Sequence, residues 1–260
     1  MSVYGDYGDL HVRLNNLVAV VEIRRPPHNF ISFDMVASIA SAFEDLGEDD
    51  ACRAIVLCSE GKNFCAGGNF AQASDGDAAT SDSGRFYREA TRLFRTPKPV
   101  VGAIQGAAVG GGLGLALTPD FRVACPEARF VANFTRLGFH PGFGLTVTLP
   151  EVIGKHRAEL MFLTSRRIKA EEAHQWGLVD VLVPMEELRD AAVALATEIA
   201  ECSPLGIVDT RRTMRGDLAD RVKAATDREL VIQDRLRATE DFKEGVKAMS
   251  ERRVPNWQGR

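Results

Sequence analysis

The most informative part of this sequence is Val100-Val-Gly-Ala-Ile104, followed a few residues later by Gly110-Gly-Gly-Leu-Gly-Leu-Ala-Leu117. The first segment is short and apolar, which predicts a buried β-strand. The second begins as a glycine-rich loop and continues as an apolar helix. Glycine lets a ligand approach the backbone closely, and the first N–H groups of a helix have no partner within it. Together the two segments predict a strand, a loop and a helix that present bare N–H donors.

Another glycine-rich segment, Cys65-Ala66-Gly67-Gly68-Asn69, follows the predicted strand 54–58. Because it comes earlier in the chain, it is called the first glycine segment, and the loop at Gly110 is called the second. Two N–H groups that converge on one oxygen form an oxyanion hole, and a helix N-terminus adds a partial positive charge. The alternative interpretation is that these glycines only permit tight packing of helix against strand, and both interpretations stay open at this point. A dinucleotide-binding GxGxxG motif does not fit, because the sixth position counted from Gly110 is Leu115.

Strand and helix patterns alternate along the chain, which predicts an α/β core. We predict this core over residues 1–200 and a charged helical region over residues 201–260. The polar segment 74–84 is predicted to be a mobile surface loop, followed by a helix over 85–95. The other predicted strands are 17–23, 121–124 and 130–134. The other predicted helices are 154–163, 170–176, 186–201 and one that is capped by Ser32 or Asp34 and ends at Leu46.

The composition is that of an ordinary globular protein, with 45% hydrophobic and 26% charged residues. A net charge of −4 gives no general attraction to nucleic acid or to an anionic membrane. The five cysteines form no CxxC pair, which favours a reducing cytoplasm. We expect neither a signal peptide nor a membrane-spanning segment. The five histidines lack a metal-binding spacing, so we predict no metal site.

Several segments match the motifs of one known family in order and spacing. The pattern G-x-x-F-C-A-G-A-D is matched by Gly61-Lys-Asn-Phe-Cys-Ala-Gly-Gly-Asn69. The pattern K-P-V-I-A-A-V-N-G-x-x-x-G-G-G is matched by Lys98-Pro-Val-Val-Gly-Ala-Ile-Gln-Gly106 with Gly110-Gly-Gly112. Further matches lie at residues 27–32, 163–180 and 241–260. By these motifs the chain resembles the enoyl-CoA hydratase/isomerase (crotonase) superfamily over nearly its whole length.

This resemblance implies a crotonase-type spiral of ββα units with a C-terminal helical region used in trimerisation. It also implies an acyl-CoA thioester as substrate, with coenzyme A as part of that substrate and no separate cofactor. By position, the two oxyanion-hole N–H groups belong to Gly68 and Gly111. We therefore expect a cytoplasmic homotrimer, or a hexamer built as a dimer of trimers, that binds neither nucleic acid nor membrane.

The resemblance also implies residues that bind the CoA end of the substrate. Relatives use the region of Arg25, His28 and Phe30 near the adenine and phosphates of CoA, and a guanidinium is well suited to phosphate. Ala66, in the first glycine segment, is a further predicted contact. The alternative interpretation of the charged residues is a solvated strand end.

The chain departs from the family at the positions of the catalytic acids. Hydratases of this family use two glutamates to hold and activate water, and here the corresponding positions are Gly114 and Phe134. General acid–base catalysis contributes about 10²–10⁴-fold, and neither residue can transfer a proton. We therefore hypothesise that this chain does not hydrate 2-enoyl-CoA efficiently. The position of the aspartate nucleophile of related dehalogenases is Gly142, so dehalogenation is not predicted either.

Three other side chains are candidates for the acyl end of the site. His140 lies in the loop 137–144, which reaches the acyl group in relatives, and histidine can act as a general acid or base near neutral pH. Tyr87, on the helix that borders the acyl pocket in relatives, is a second candidate for the chemistry, and Tyr87 and Phe134 are predicted to line the acyl pocket. The alternative is a structural role for His140 and simple core packing for the two aromatic residues.

The sequence leaves the reaction open. The leading interpretation is an enzyme that stabilises a thioester enolate, with hydratase, isomerase, hydrolase and lyase reactions all possible. One alternative is a conventional enoyl-CoA hydratase whose acid and base have moved to other residues. Another is a CoA-binding paralogue without catalysis.

Overall fold

The computed structural model describes the backbone of residues 2–69 and 79–260, and the side chains of residues 4–69 and 84–260. Within these ranges the strands are β1 Ser2–Val3, β2 Leu10–Asn15, β3 Val18–Ile23, β4 Ala54–Ser59, β5 Val100–Ile104, β6 Ala107–Val109, β7 Phe121–Ala124, β8 Arg129–Val131, β9 Arg167–Lys169 and β10 Val181–Leu182. The helices are α1 Phe33–Glu48, α2 Ala79–Arg92, α3 Gly111–Ala116, α4 Leu145–Ile153, α5 Lys155–Thr164, α6 Ala170–Gln175, α7 Leu188–Ala200, α8 Pro204–Arg215, α9 Leu218–Arg237 and α10 Glu240–Ser250.

A seven-stranded sheet forms the centre of the fold, in the order β1-β2-β3-β4-β5-β7-β10. The pairs β1–β2 and β2–β3 are antiparallel, and every pair from β3 to β10 is parallel. All residues of β4 and β5 are buried, as expected for parallel strands that are covered on both faces. Ile55 and Leu57 belong to the core shared with α1, whereas Val56 belongs to the core shared with α7. Successive side chains of β4 therefore point alternately into the two cores, one on each face of the sheet.

The helix α7 lies close to the sheet because its buried side chains are small. Ala192, Ala196 and Ala200 recur at every fourth position and are fully buried. This spacing places them on one face of the helix, where they meet β4 and β5. The other face of the sheet is covered by α1, which buries larger side chains such as Phe43 and Leu46.

A second, three-stranded sheet of order β6-β8-β9 positions the candidate site. The strands β6 and β8 are parallel, and β8 and β9 are antiparallel. The strand β6 leads into α3, and β8 leads into the segment that contains Phe134 and His140. The small sheet therefore brings the second glycine loop next to the predicted acyl-binding residues.

The C-terminal helices pack against the rest of the chain rather than extending from it. Asp120 accepts hydrogen bonds from Arg211 Nε at 2.9 and 3.0 Å and from Arg215 Nε at 2.8 Å, which attaches α8 next to β7. The helix α9 contacts α2 and α4, and α10 contacts the turn at Thr135–Leu137. Gly245 of α10 lies so close to this turn that an added Cβ would be 2.6 Å from the Leu137 carbonyl. The predicted boundary between residues 200 and 201 remains a prediction.

Two local predictions are wrong. The strand predicted over 130–134 ends at Val131, because Phe134 has helical backbone angles and starts the short turn at Thr135–Leu137. The helix α2 begins at Ala79, so residues 79–84 are helical rather than part of a surface loop, while residues 74–78 of that predicted loop lie outside the described residues. Over the described ranges, no single helix is long and apolar enough to cross a bilayer, and residues 185–200 and 204–215 reach that length only as a pair bent by 104°.

Candidate active site

The two glycine segments are held side by side by a short parallel ladder. Cys65 and Ala108 form a parallel bridge, with the Cys65 N–H donating to the Ala107 carbonyl at 2.9 Å and the Val109 N–H donating to the Cys65 carbonyl at 3.1 Å. Gly68 and Gly111 each lie three residues beyond this bridge. The bridge therefore holds the two segments that carry these glycines against each other.

Glycine is required at two positions because the backbones approach so closely. A Cβ on Gly112 would lie 2.1 Å from the Cys65 carbonyl oxygen. A Cβ on Gly67 would lie 2.6 Å from the Val109 carbonyl oxygen, and Gly67 has a φ of +86°, which disfavours any other residue. These two glycines therefore do permit tight packing, and this packing is also what brings the two donor segments together.

The backbone at this point leaves two N–H groups without an acceptor. The Gly110 N–H donates to the Val131 carbonyl at 2.8 Å, and Gly111 is the first residue of α3, where intrahelical acceptors are lacking. Considering only the parts of the chain that the structure describes, neither the Gly68 nor the Gly111 N–H donates a hydrogen bond. A pair of neighbouring, unused N–H donors is the arrangement that binds an oxyanion.

The Gly68 and Gly111 N–H groups together are called the cradle below. The thiol of Cys65 does not supply a nucleophile to this cradle. Its side chain is fully buried, and this burial raises the pKa of the thiol to about 12. A neutral, enclosed thiol is unreactive near pH 7. Cys65 therefore contributes to the site through its backbone.

The space next to Gly114 is filled by an aromatic ring. An added Cβ on Gly114 would lie 2.6 Å from Phe143 Cγ and Cδ1, and 2.7 Å from its Cβ. Phe143 is fully buried and forms an edge-to-face contact with Phe86, with ring centroids 5.9 Å apart. The space beside Gly114, which the resemblance aligns with one of the two hydratase glutamates, is therefore apolar.

Phe134, at the second glutamate position, also lies beside the cradle. Its Cζ is 3.9 Å from the place where Gly110 would carry a Cβ. The ring is buried and contacts Phe139 edge-to-face at 5.4 Å, and Phe139 contacts Phe242 of α10 in the same way. Phe134 is thus both part of the core and a neighbour of the second glycine loop. This position is compatible with core packing and with lining of the acyl pocket.

The ring of His140 is held by a contact with its own chain. His140 Nδ1 lies 2.8 Å from the Pro141 carbonyl oxygen. Because a carbonyl oxygen only accepts, Nδ1 carries the proton in this contact, and Nε2 of the neutral ring is left as the basic nitrogen. The side chain is half-buried. This arrangement suits a general base, and the loop that carries it touches α3 through Phe143.

Tyr87 is buried beside the same loop, with its hydroxyl group used internally. The hydroxyl donates to Gln233 Oε1 at 2.8 Å. Burial raises the pKa of Tyr87 well above its ordinary value, so the phenol stays protonated. Its ring contacts Phe86 at 5.4 Å, and Phe86 in turn contacts Phe143. Tyr87 therefore supports the wall of the site and is poorly suited to carry protons.

The predicted CoA-side residues lie around the first glycine segment. The Ala66 N–H donates to the His28 carbonyl at 3.0 Å, and the exposed His28 ring lies 5.0 Å from the Phe30 ring. Arg25 pairs with Asp9 at 3.1 Å and also donates to the Ser32 hydroxyl. The structure thus brings the four residues into one region, with the Arg25 guanidinium already engaged by the protein.

Two residues that sequence reasoning missed contact the loop of His140. Gln233 donates from Nε2 to the His140 carbonyl at 2.8 Å, and Glu229 accepts the Gly144 N–H at 2.9 Å. Both belong to α9 and are fully buried. Their spacing of four residues places both on one face of a helix, but this spacing does not show which part of the chain that face contacts.

The sequence and structure are similar to those of known proteins along nearly the whole chain. The sequence model of the family described as enoyl-CoA hydratase/isomerase matches residues 13–260. The 1,2-epoxyphenylacetyl-CoA isomerase of Escherichia coli K12 is 32% identical over 250 residues, which are 94% of this chain and 95% of that protein. The carnitinyl-CoA dehydratase of Proteus mirabilis HI4320 is 31% identical over 257 residues, covering 96% and 98% of the two chains.

Solved structures give the same result. An enoyl-CoA hydratase/isomerase from Pseudoalteromonas atlantica T6c superposes with a TM-score of 0.86 at 30% identity, covering 96% of this chain and 100% of its own. An enoyl-CoA hydratase from Mycobacterium avium subsp. paratuberculosis K-10 superposes with a TM-score of 0.83 at 27% identity, covering 96% and 99%. These superpositions confirm the predicted α/β fold of crotonase type, including its C-terminal helices.

Proposed function

Since the chain belongs to the enoyl-CoA hydratase/isomerase family, whose members act on CoA thioesters, we propose that it is an enzyme that stabilises the enolate of an acyl-CoA. The observation that supports this most directly is the presence of unused N–H groups at Gly68 and Gly111, on the two segments that the Cys65–Ala108 bridge holds together. A thioester oxygen that accepts from both groups gains negative charge when the α-proton is removed. The two hydrogen bonds then strengthen, which stabilises the transition state more than the bound substrate.

We propose that His140 removes the α-proton through Nε2. The contact of Nδ1 with the Pro141 carbonyl keeps the proton on Nδ1 and leaves Nε2 as the acceptor. After proton removal, the imidazolium can return a proton to the α-carbon or to another carbon of the same acyl group. Return of the proton to another carbon is an isomerase reaction. If the enolate instead expels a β-substituent, which takes its proton from the imidazolium, the reaction is that of a lyase. Neither reaction needs a carboxylate at Gly114 or Phe134.

We propose that the acyl pocket accepts an aromatic or otherwise bulky acyl group. Phe134, Phe139 and Phe143 are buried between the second glycine loop and the loop of His140, so the surroundings of the proposed acyl end are aromatic. At the other end, His28, Phe30 and Ala66 lie near the surface of the first glycine segment, and we assign the CoA end of the substrate to them. The five free cysteines favour a cytoplasmic enzyme.

The proposed function predicts α-proton exchange in a suitable acyl-CoA. Phenylacetyl-CoA is a useful probe because its ring acidifies the α-protons, so incubation with the enzyme in D₂O should add deuterium at that carbon, measured by mass spectrometry. His140→Ala should slow exchange about 10²–10⁴-fold, which is the usual contribution of a general base. His156→Ala is the matched control, because the His156 side chain is fully exposed on α5.

Three outcomes would contradict the proposed function or the assignment of His140 as the base. Tight binding of phenylacetyl-CoA, butyryl-CoA and crotonyl-CoA without exchange or turnover would identify a non-catalytic CoA-binding protein. Rapid hydration of crotonyl-CoA would instead identify a conventional hydratase with displaced acid and base residues. If exchange is unchanged in His140→Ala, another residue is the base, while the assignment of the oxyanion hole to Gly68 and Gly111 is unaffected.

We propose that the enzyme assembles as a trimer or as a hexamer. Large apolar side chains are exposed on α8 and α9 of the single chain, including Leu205, Met214 and Val231 at 80%, 81% and 70% exposure. Light scattering should therefore give the mass of three or six chains, and Met214→Glu should lower that mass by placing a charge in the contact. Met214→Leu, which keeps an apolar side chain, should not, and a monomeric wild type would contradict the proposal.

A further inference from the structure

The segment from Gly138 to Gly144 has a backbone conformation that needs external support. Gly138, Phe143 and Gly144 all lie in the left-handed region, with φ of +80°, +62° and +70°. This region is unfavourable for phenylalanine, and such residues persist only where the surrounding structure holds them. The segment carries both His140 and the ring that fills the space beside Gly114. Its supporting contacts therefore bear directly on the site.

Glu229 of α9 supports the end of this segment. Its carboxylate is fully buried and accepts the N–H groups of Gly144 at 2.9 Å and Thr146 at 3.2 Å, together with the Thr146 hydroxyl. These N–H groups belong to the start of α4, where a carboxylate is favoured by the helix dipole. Glu229 thus fixes the point at which the segment enters α4.

Gln233, one helical turn later, supports the middle of the segment. Its Nε2 donates to the His140 carbonyl at 2.8 Å, and its Oε1 accepts the Tyr87 hydroxyl at 2.8 Å. Because the His140 carbonyl only accepts, this pattern fixes the orientation of the amide. Gly142 lies against the same pair, since an added Cβ would be 2.5 Å from Gln233 Nε2 and 2.0 Å from the Tyr87 oxygen. The fit leaves no room for the segment to shift towards α9.

We propose that Gln233 and Glu229 are positioning residues that set the place of the His140 imidazole through the loop backbone. Gln233 fixes the peptide plane between His140 and Pro141, and the His140 ring is in turn bound to the Pro141 carbonyl. The position of Nε2 therefore follows from a residue 93 positions away in sequence. This inference rests on the proposed role of His140 as the base, and it makes the C-terminal helix α9 part of the machinery that orients that base.

The decisive variant is Gln233→Met, which keeps the length of the side chain and removes its hydrogen bonds to His140, Tyr87 and Arg237. We expect kcat for the deuterium exchange of phenylacetyl-CoA to fall about 10- to 100-fold, because small displacements of a catalytic group have effects of this size. KM should stay within about twofold, since the change acts on the base and not on the CoA end. Gln175→Met, at an exposed glutamine of α6, is the matched control and should leave both parameters unchanged.

A double-mutant cycle separates positioning from general destabilisation. If Gln233 acts through His140, Gln233→Met should have no further effect on kcat in a His140→Ala background. Equal losses in both backgrounds would mean that Gln233 only stabilises the fold, and would overturn the inference. If Gln233→Met does not fold, Tyr87→Phe provides a milder form of the same test, because it removes the shorter of the two hydrogen bonds that the Gln233 amide oxygen accepts.

The failure of this inference can be distinguished from the failure of the proposed function. Slow exchange in His140→Ala together with wild-type exchange in Gln233→Met would leave His140 as the base and remove the positioning role of Gln233. Unchanged exchange in His140→Ala would overturn the assignment of the base itself, and with it the positioning inference.

Discussion

Replacing Gly112 by alanine is expected to lower the rate of α-proton exchange at least about 10²-fold, which is the loss seen when one oxyanion-hole donor is removed. The added Cβ would lie 2.1 Å from the Cys65 carbonyl oxygen and 2.9 Å from its carbon. These are backbone atoms, which cannot rotate away as the end of a flexible side chain can. One of the two glycine segments must therefore move.

The expected movement separates the two proposed donors. The Cys65 carbonyl that the new methyl group would push away also accepts the Val109 N–H at 3.1 Å, in the ladder that holds Gly68 beside Gly111. Displacing Cys65 breaks this ladder and moves the Gly68 N–H away from the Gly111 N–H. Over-packing of this kind also costs about 1–3 kcal/mol of stability, so the melting temperature should fall together with the activity.

The measurement compares exchange rates per folded protein, with folding followed by circular dichroism and thermal unfolding. Gly206→Ala is the matched control, because Gly206 also lies in the first turn of a helix and its added Cβ would meet only Ser203 at an ordinary 3.5 Å. This control should keep wild-type exchange and gain a few tenths of a kcal/mol up to about 1 kcal/mol in stability. Wild-type exchange in a folded Gly112→Ala would show that the cradle is not an oxyanion hole.

Features that depend on local sequence were predicted well. The prediction of a loop at Gly110 followed by an apolar helix matches α3, which begins at Gly111. The helices predicted at 154–163, 170–176 and 186–201 match α5, α6 and α7 to within a few residues. These segments combine hydrophobic periodicity with nearby breakers, and such signals are contained in the segment itself.

Features that depend on distant contacts were not predicted. The strand β2 is an exception, because its alternation of Leu10, Val12 and Leu14 with polar residues is a local pattern of a half-buried strand that our predictions overlooked. Gln233 and Glu229 contact a loop more than eighty residues earlier in the chain, so no local pattern marks them. The left-handed conformation of Phe143 is likewise imposed by the packing around it.

The second change with a large expected effect is Gly114→Glu. This variant should lower the free energy of unfolding, and it should not gain hydratase activity. An added Cβ would lie 2.6 Å from Phe143 Cγ, close to the root of that side chain. Phe143 has little freedom to move, since its loop is bound to α9 and its ring packs on Phe86. The variant therefore combines steric overlap with the burial of a carboxylate beside apolar rings, where the charged form is strongly disfavoured.

The expected loss is at least about 1–3 kcal/mol from over-packing, and each kcal/mol lowers the melting temperature by about 2–4 °C in a chain of this size. Gly114→Ala isolates the steric part, because it adds the Cβ without the charge. The double variant Gly114→Ala/Phe143→Ala should lose less stability than the sum of the two single variants, because truncating the ring removes the overlap. Strict additivity of the two single variants would show that Phe143 moves aside and does not overlap a side chain at position 114. A Gly114→Glu variant that melts like wild type and hydrates crotonyl-CoA would show that the site has room for the glutamate and that this chain lacks it only because residue 114 is glycine.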